Sequence, residues 1–181
     1  REVSASPTDK ERLPITQRLE VFGCSCCPPN INRFFAELGD VIAFAGNETL
    51  YIEQYVSSDV NTSLGRVEIR ENYALSGKAE ISSQNFSGKK LAVRLPEWSN
   101  KLVATSMGKP VKYEVKEGYA YFDAEKSFSL QLDFGIKAAF VAANPKVRAD
   151  AGRIALTYGP VVYCLEGVDN GERLKRISVS P

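Results

Sequence analysis

The sequence contains no histidine among its 181 residues, and this absence narrows the chemistry that the chain can perform. Without histidine, neither a Ser-His-Asp nor a Cys-His catalytic arrangement can form within the chain. Mixed Cys/His zinc sites are excluded for the same reason. Any metal ion must therefore be held by Cys, Asp or Glu.

Long hydrophobic runs and an excess of charge of one sign are also missing. The run 136–143 is interrupted by Lys137 and falls far short of the roughly 20 apolar residues that a transmembrane helix needs. Lys plus Arg number 23 and Asp plus Glu number 22, so the net charge is +1. A balanced charge offers no electrostatic footprint for nucleic acid or an anionic membrane. We therefore expect neither as a partner.

Strand patterns are what the sequence does contain, from about residue 49 onward. Short period-2 segments alternate with turn signals such as Ser87-Gly88 and Glu117-Gly118. Many short strands at this spacing favour a β-sandwich over a βαβ fold, so we predict a mainly β fold. The predicted strands are 49–56, 65–75, 79–86, 90–95, 102–105, 111–115, 119–123, 127–134, 138–142, 153–157 and 161–165.

One helical signal precedes these strands. Proline at 28 and 29 suits the first turn of a helix, where a missing N–H costs nothing. Apolar residues then recur at the i, i+3, i+4, i+7 and i+11 positions of one helix face. The pattern predicts a helix that starts near Pro29 and either breaks at Gly39 or runs to Gly46-Asn47. The apolar face consists of Ile31, Phe34, Phe35, Leu38 and Ile42.

Three of the four cysteines, Cys24, Cys26 and Cys27, fall just before this helix. The partial positive charge at a helix amino end favours thiolate over thiol, and thiolates are preferred zinc ligands. The cluster therefore predicts a metal site or a nucleophile, with structural or redox thiols as the alternative. Cys164 lies in an apolar strand pattern, and we expect it in the core.

Aromatic and cationic side chains offer weaker signals. Trp98, Tyr119 and Tyr121 have the chemistry of a sugar-stacking platform, but their apolar strand context favours packing in the core or between sheets. Arg94 has the chemistry of a carboxylate clamp, although pairing at the surface or between domains is the favoured interpretation.

The segment Gly23–Asn30, with Arg33 and Leu38-Gly39 behind it, resembles glycoside hydrolase family 127, typified by β-L-arabinofuranosidase. Val93–Trp98 is similar to the family's strand ending in Arg-x-Pro-x-Trp. The segments 143–147, 152–156 and 158–169 are similar to its long carboxy-terminal signature.

The resemblance implies a β-sandwich that follows the last helix or helices of an α/α barrel. It assigns residues 1–46, with the cysteine cluster, to the carboxy-terminal end of the barrel. It assigns residues 47–181 to a β-sandwich accessory region, with two packed sandwiches, the second incomplete, as an option.

The resemblance also implies a retaining zinc-thiolate hydrolase that releases β-linked L-arabinofuranose or a related sugar. Cys26 would be the nucleophile, and Cys26 and Cys27 would bind zinc with a Glu and a Cys from earlier in the chain. The role of Cys24 stays open. The acid/base Glu would precede Arg1, so we expect the isolated chain to be inactive.

The partners that follow are an arabinose-containing oligosaccharide or glycoconjugate and the upstream barrel segment of the same protein. A homodimer through the sandwich is left open. The alternative function is an accessory carbohydrate-binding or structural module with a structural zinc-thiolate site. Reactive thiols suit a reducing cytoplasm, with a periplasmic location as the alternative.

Overall fold

The computed structural model describes residues 26–171, 173–174 and 177–179. Contacts divide the chain into two units, Arg1–Gly39 and Asp40–Pro181. No helix in the described ranges has the length and hydropathy that a membrane span requires. The predicted boundary between residues 46 and 47 stays a prediction.

Helix α1 (Cys27–Glu37) lies in the described part of the first unit. The helical prediction is confirmed, and the helix ends two residues before Gly39 and passes into a 3₁₀ turn, Leu38–Val41. Placing Ile42 on the helix face was wrong, because Ile42 is buried in the core of the second unit. Its carbonyl accepts the backbone N–H groups of Glu53 and Gln54.

Two sheets form most of the second unit, and the prediction of a mainly β sandwich is confirmed. One has five strands in the order β1-β2-β6-β10-β9, and the other has six in the order β3-β4-β5-β11-β7-β8. Only the β2–β6 pairing is parallel among the pairings of these sheets. The strands are β1 (Ala43–Ala45), β2 (Thr49–Ile52), β3 (Ser58–Thr62), β4 (Gly65–Asn72), β5 (Lys78–Ser83), β6 (Lys90–Arg94), β7 (Val103–Ser106), β8 (Lys109–Pro110), β9 (Glu114–Lys116), β10 (Tyr119–Asp123) and β11 (Phe128–Asp133).

The core lies between these two sheets because every second side chain of the central strands is apolar and buried. In β10, Ala120 and Phe122 are buried while their neighbours along the strand are not. Successive side chains of a strand point to opposite faces, so one face is left for the core and one for the surface. The largest fully buried side chains are Phe134, Leu50, Ile52, Ile69, Ile81, Leu91, Leu132, Val67 and Val93.

A third sheet of three antiparallel strands follows, made of β12 (Ala138–Ala142), β13 (Ile154–Tyr158) and β14 (Val161–Tyr163). A 3₁₀ turn, Arg148–Asp150, lies between its first two strands, and helix α3 (Gly167–Asn170) follows its last. Its apolar side chains are largely exposed on both faces. The expectation that Cys164 is buried was wrong for this reason: Cys164 is exposed, since no second layer covers the sheet within the described residues.

Several predicted strands ended too late: 49–56 stops at Ile52, 79–86 stops at Ser83, and a third is replaced at its end by a helix. The pattern 65–75 stops at Asn72, and the chain turns through a short helix, α2 (Tyr73–Ser76). Gly77 closes α2 with a φ of +66°, a left-handed conformation that favours glycine. Its N–H donates to the carbonyl of Tyr73 at 2.9 Å.

Ile136 joins the sandwich to the third sheet by fitting against two glycines. A Cβ atom at Gly77 would lie 2.7 Å from the Cβ of Ile136, and one at Gly159 would lie 2.6 Å from its Cδ1. Neither separation is tolerated by real atoms, so a side chain at either glycine would force Ile136 to shift.

Candidate functional site

Two thiols mark the start of helix α1. Cys26 is the N-cap residue and Cys27 is the first residue of the helix, and both are exposed. Their sulfur atoms are 3.7 Å apart, within sulfur hydrogen-bonding distance and far beyond the roughly 2.05 Å of a disulfide bond. The third residue of the predicted cluster, Cys24, lies outside the described residues.

The local sequence removes some of the backbone N–H groups at the amino end of this helix, beside the two thiols. Four N–H groups at a helix amino end lack partners within the helix. Here prolines occupy the second and third helical positions, so two of those four groups do not exist. Among the described residues, the N-cap residue Cys26 makes no capping side-chain hydrogen bond. The paired sulfurs therefore stand at a helix start whose first turn contains two prolines.

The geometry of the two sulfurs fits one edge of a tetrahedral zinc site. With Zn–S bonds of about 2.3 Å and tetrahedral angles, two thiolate ligands lie about 3.8 Å apart. The observed separation is 3.7 Å. Within the described residues, no group of three or more Cys, Asp or Glu side chains is placed to hold a metal. Cys26 and Cys27 thus fit half of a zinc ligand set.

Helix α1 carries an apolar stripe beside this site. Ile31, Phe34 and Phe35 are each more than half exposed, and none of the helix residues is buried. The rings of Phe34 and Phe35 meet edge to face, with centroids 5.8 Å apart. The predicted amphipathic pattern is present, but no described residue buries it.

The three aromatic residues singled out from the sequence separate in space. Trp98 packs against the core, with ring centroids 5.4 Å from Tyr73 and 6.2 Å from Phe134, as expected. The core prediction was wrong for Tyr119 and Tyr121, because the pleat of β10 turns both away from the core. They meet Tyr51 on the outer face of the five-stranded sheet, with centroids 5.6 and 6.3 Å away.

Arg94 forms an ion pair within the sandwich, at the end of the five-stranded sheet. Its Nη1 lies 3.1 Å from Glu53 Oε2, and the Tyr119 hydroxyl donates to Glu53 Oε1. That hydrogen bond, with burial second, raises the pKa of Tyr119 to about 12. The sequence analysis did not identify Glu53, because its partners Arg94 and Tyr119 lie 41 and 66 residues away from it in sequence. No local sequence pattern connects residues so far apart.

Two family descriptions account for the β structure. The "Beta-L-arabinofuranosidase, GH127 middle domain" matches residues 49–134, and the "Glycoside hydrolase family 127 C-terminal domain" matches residues 138–181. The chain belongs to glycoside hydrolase family 127. The predicted family is thereby confirmed, and the carboxy-terminal signature lies within the matched residues, whereas the cysteine segment lies outside both matched ranges. The border between the two family 127 domains falls at the Ile136 contact.

A curated family 127 relative supports this assignment. The chain is 33% identical over 167 residues to a non-reducing end β-L-arabinofuranosidase from Bifidobacterium longum subsp. longum, over 86% of this chain and 25% of the relative. The chain therefore spans about a quarter of the length of that relative.

Solved structures give the same result. A GH127 β-L-arabinofuranosidase from Geobacillus stearothermophilus T6 superimposes with a TM-score of 0.76 and 34% identity, over 88% of this chain and 27% of that one. A second GH127 β-arabinofuranosidase superimposes with a TM-score of 0.71 and 27% identity, over 82% of this chain and 27% of that one. A third structure, described as a glycoside hydrolase, superimposes with a TM-score of 0.74 and 26% identity, over 95% of this chain and 30% of that one. These relatives are glycoside hydrolases, and each is far longer than this chain.

Proposed function

We propose that this chain is the carboxy-terminal part of a retaining glycoside hydrolase that releases β-linked L-arabinofuranose or a related sugar. The observation that carries the proposal is the pair of adjacent thiols, 3.7 Å apart at the start of a helix, in a family 127 chain. The curated relative and two of the solved structures are named arabinofuranosidases, which supports this choice of sugar.

In this proposal Cys26 and Cys27 hold zinc together with a Glu and a Cys from the upstream barrel. Bound zinc keeps thiols deprotonated at neutral pH, which is the chemistry that it supplies. The exposed apolar stripe of α1 supports a helix that packs against other barrel helices. Pairing of two copies through the sandwich stays a prediction, as does the cytoplasmic location.

The reaction consists of two displacements, and the Cys26 sulfur is the nucleophile of the first and the leaving group of the second. Its sulfur attacks the anomeric carbon, so a C–S bond forms while the glycosidic C–O bond breaks. A Glu of the upstream barrel donates a proton to the departing oxygen. In the second step the same Glu takes a proton from water, whose oxygen attacks the anomeric carbon as the C–S bond breaks. Two inversions give net retention.

The test uses the full-length protein of which this chain is a part. Cys26→Ser should lower kcat for a β-L-arabinofuranoside by at least about 10³-fold, because a hydroxyl of high pKa replaces the thiolate. Cys164→Ser is the matched control and should retain turnover, since Cys164 is exposed in another region of the chain. Zinc content, measured on both variants and on Cys27→Ser, should fall only for changes at 26 and 27.

The outcomes separate this proposal from a structural zinc site. Two thiols at this distance suit structural zinc equally well, so a Cys26→Ser protein that loses zinc but keeps its turnover supports an accessory module. Loss of turnover, together with a covalent adduct at Cys26 after treatment with an arabinofuranosyl-configured electrophile, supports the nucleophile. The 181-residue chain alone should show no hydrolysis, because it lacks the upstream Glu.

A further inference from the structure

A cavity of about 230 Å³ opens at the end of the five-stranded sheet, beside the ion pair of Glu53 and Arg94. This volume lies below the roughly 300–1,000 Å³ of sites for drug-sized ligands, so it suits a single small ring. The residues that line it are Glu53, Gln54, Tyr55, Tyr73, Arg94 and Pro96.

One wall of the cavity is polar and has its charges balanced. The side chain of Glu53 is only 13% exposed and pairs with Arg94, whereas that of Arg94 is 60% exposed. Because the two charges cancel, the wall gives no net attraction to an anion or a cation. Each Glu53 oxygen takes one described partner and keeps further acceptor capacity, and Arg94 has five N–H donors of which one bonds Glu53.

Two tyrosines also line the cavity, and their contacts hold them in place. The Tyr73 ring lies 4.9 Å from that of Tyr55, and the Tyr55 hydroxyl donates to the Arg94 carbonyl at 2.6 Å. Tyr55 is buried, and burial raises its pKa well above the ordinary value, so its hydroxyl stays protonated and keeps this bond at neutral pH. The hydrogen bond from Tyr55 to the Arg94 carbonyl therefore holds both the Tyr55 ring and the backbone of Arg94 in place.

We propose that this cavity binds one neutral sugar ring. Sugar hydroxyls each donate and accept, which matches a carboxylate and a guanidinium standing side by side. The apolar C–H groups of a sugar ring suit the part of the half-buried Tyr73 side chain that lines the cavity, and the exposed amide of Gln54 supplies further donors and an acceptor. The site lies on the sandwich, and the inference does not depend on the chemistry of Cys26.

Trp98, the sole tryptophan of the chain, reports on this site because its ring centroid is 5.4 Å from that of Tyr73. The test follows its fluorescence in the full 181-residue chain while methyl β-L-arabinofuranoside or L-arabinose is added. We expect a saturable change with a millimolar Kd. Glycerol, which has hydroxyls but no ring, should give no saturable change at the same concentrations.

Two arginine variants make the test specific. Arg94→Met removes the donors and keeps the apolar stem, and it should weaken binding about tenfold or more, the effect of losing a charged hydrogen bond. Arg66→Met is the matched control, since Arg66 is 53% exposed and also ion-paired, but lies on the six-stranded sheet. Its affinity should equal that of the unaltered chain.

Glu53→Gln keeps the shape of the carboxylate and should also weaken binding, while far-UV circular dichroism verifies the fold of each variant. The inference is overturned if no sugar gives saturation, if glycerol acts as well as the sugars, or if Arg94→Met and Arg66→Met bind equally. Cys26→Ser should leave the sugar titration unchanged. The titration therefore tests the cavity independently of whether Cys26 is the nucleophile.

Discussion

The sandwich and the three-stranded sheet are both built from strands with apolar side chains, yet these side chains reach opposite degrees of burial. Phe134, directly after β11, has no exposed surface, whereas Phe140, in the middle of β12, is 58% exposed. The segment that leads to Phe134 alternates apolar and polar residues, whereas the strand that contains Phe140 is apolar throughout. The difference shows that an apolar strand pattern specifies a strand, while burial requires a second layer, which the third sheet lacks in the described residues.

The largest expected effect comes from truncating these two phenylalanines. Phe134→Ala should lower the free energy of unfolding by about 3–5 kcal/mol, because it leaves a cavity among Tyr55, Tyr73 and Trp98. Phe140→Ala should change it by about 0.5 kcal/mol or less, since an exposed ring loses little on truncation. Urea denaturation of the 181-residue chain, followed by far-UV circular dichroism, measures both values.

The comparison fails if the two truncations cost the same. A large loss for Phe140→Ala would mean that the third sheet is covered in solution, for example by a second copy of the chain. Repeating the Phe140→Ala measurement at several protein concentrations separates these cases, because burial between copies makes stability concentration-dependent.

The contact that joins the two regions gives the next prediction. Gly159→Ala should destabilise the chain by about 2–3 kcal/mol, since the added methyl group meets Ile136 at 2.6 Å and Gly159 has a φ of +55°. Gly152→Ala is the matched control, because its φ is +73° and nothing lies within 4 Å of the added atom. It should cost only the backbone strain, about 1 kcal/mol.

The measurement that checks this is the difference between the two alanine variants in denaturant midpoint. If Gly159→Ala is no worse than Gly152→Ala, Ile136 moves freely and the two regions are not held in one orientation. If it is worse and Ile136→Ala restores the loss in the double variant, the Ile136 contact fixes the third sheet on the sandwich.

Much of the strand content was predictable because burial on one face imposes period 2. The bounds of β10 and β12 match the predicted 119–123 and 138–142. Strand β3 was missed because its sequence, Ser58–Thr62, carries one apolar residue; it is an edge strand paired only with β4. Ion pairs from Arg66 and Arg70 to Asp59 accompany that edge, and no local pattern reveals them.

The candidate site was predictable only where its residues are neighbours in sequence. Cys26 and Cys27 were visible because three cysteines in four positions are rare in a chain without a disulfide framework. Their roles remain predictions. The ion pair of Glu53 and Arg94 was invisible, because sheet pairing alone brings together residues 41 positions apart. Long-range register, not composition, creates such a site.

The smallest expected effect lies on the outer face of the sandwich. The pKa of Tyr119 is about 12 in the folded chain against 10.0 for the ordinary group, mainly because its hydroxyl donates to Glu53. A folded-state pKa above the unfolded value means that the stabilisation is complete below pH 10 and is lost as the pH rises from 10 to 12. Tyr119→Phe should therefore cost about 1 kcal/mol at pH 8 and nothing at pH 12. A Tyr119→Phe penalty that does not change with pH would contradict the assigned hydrogen bond.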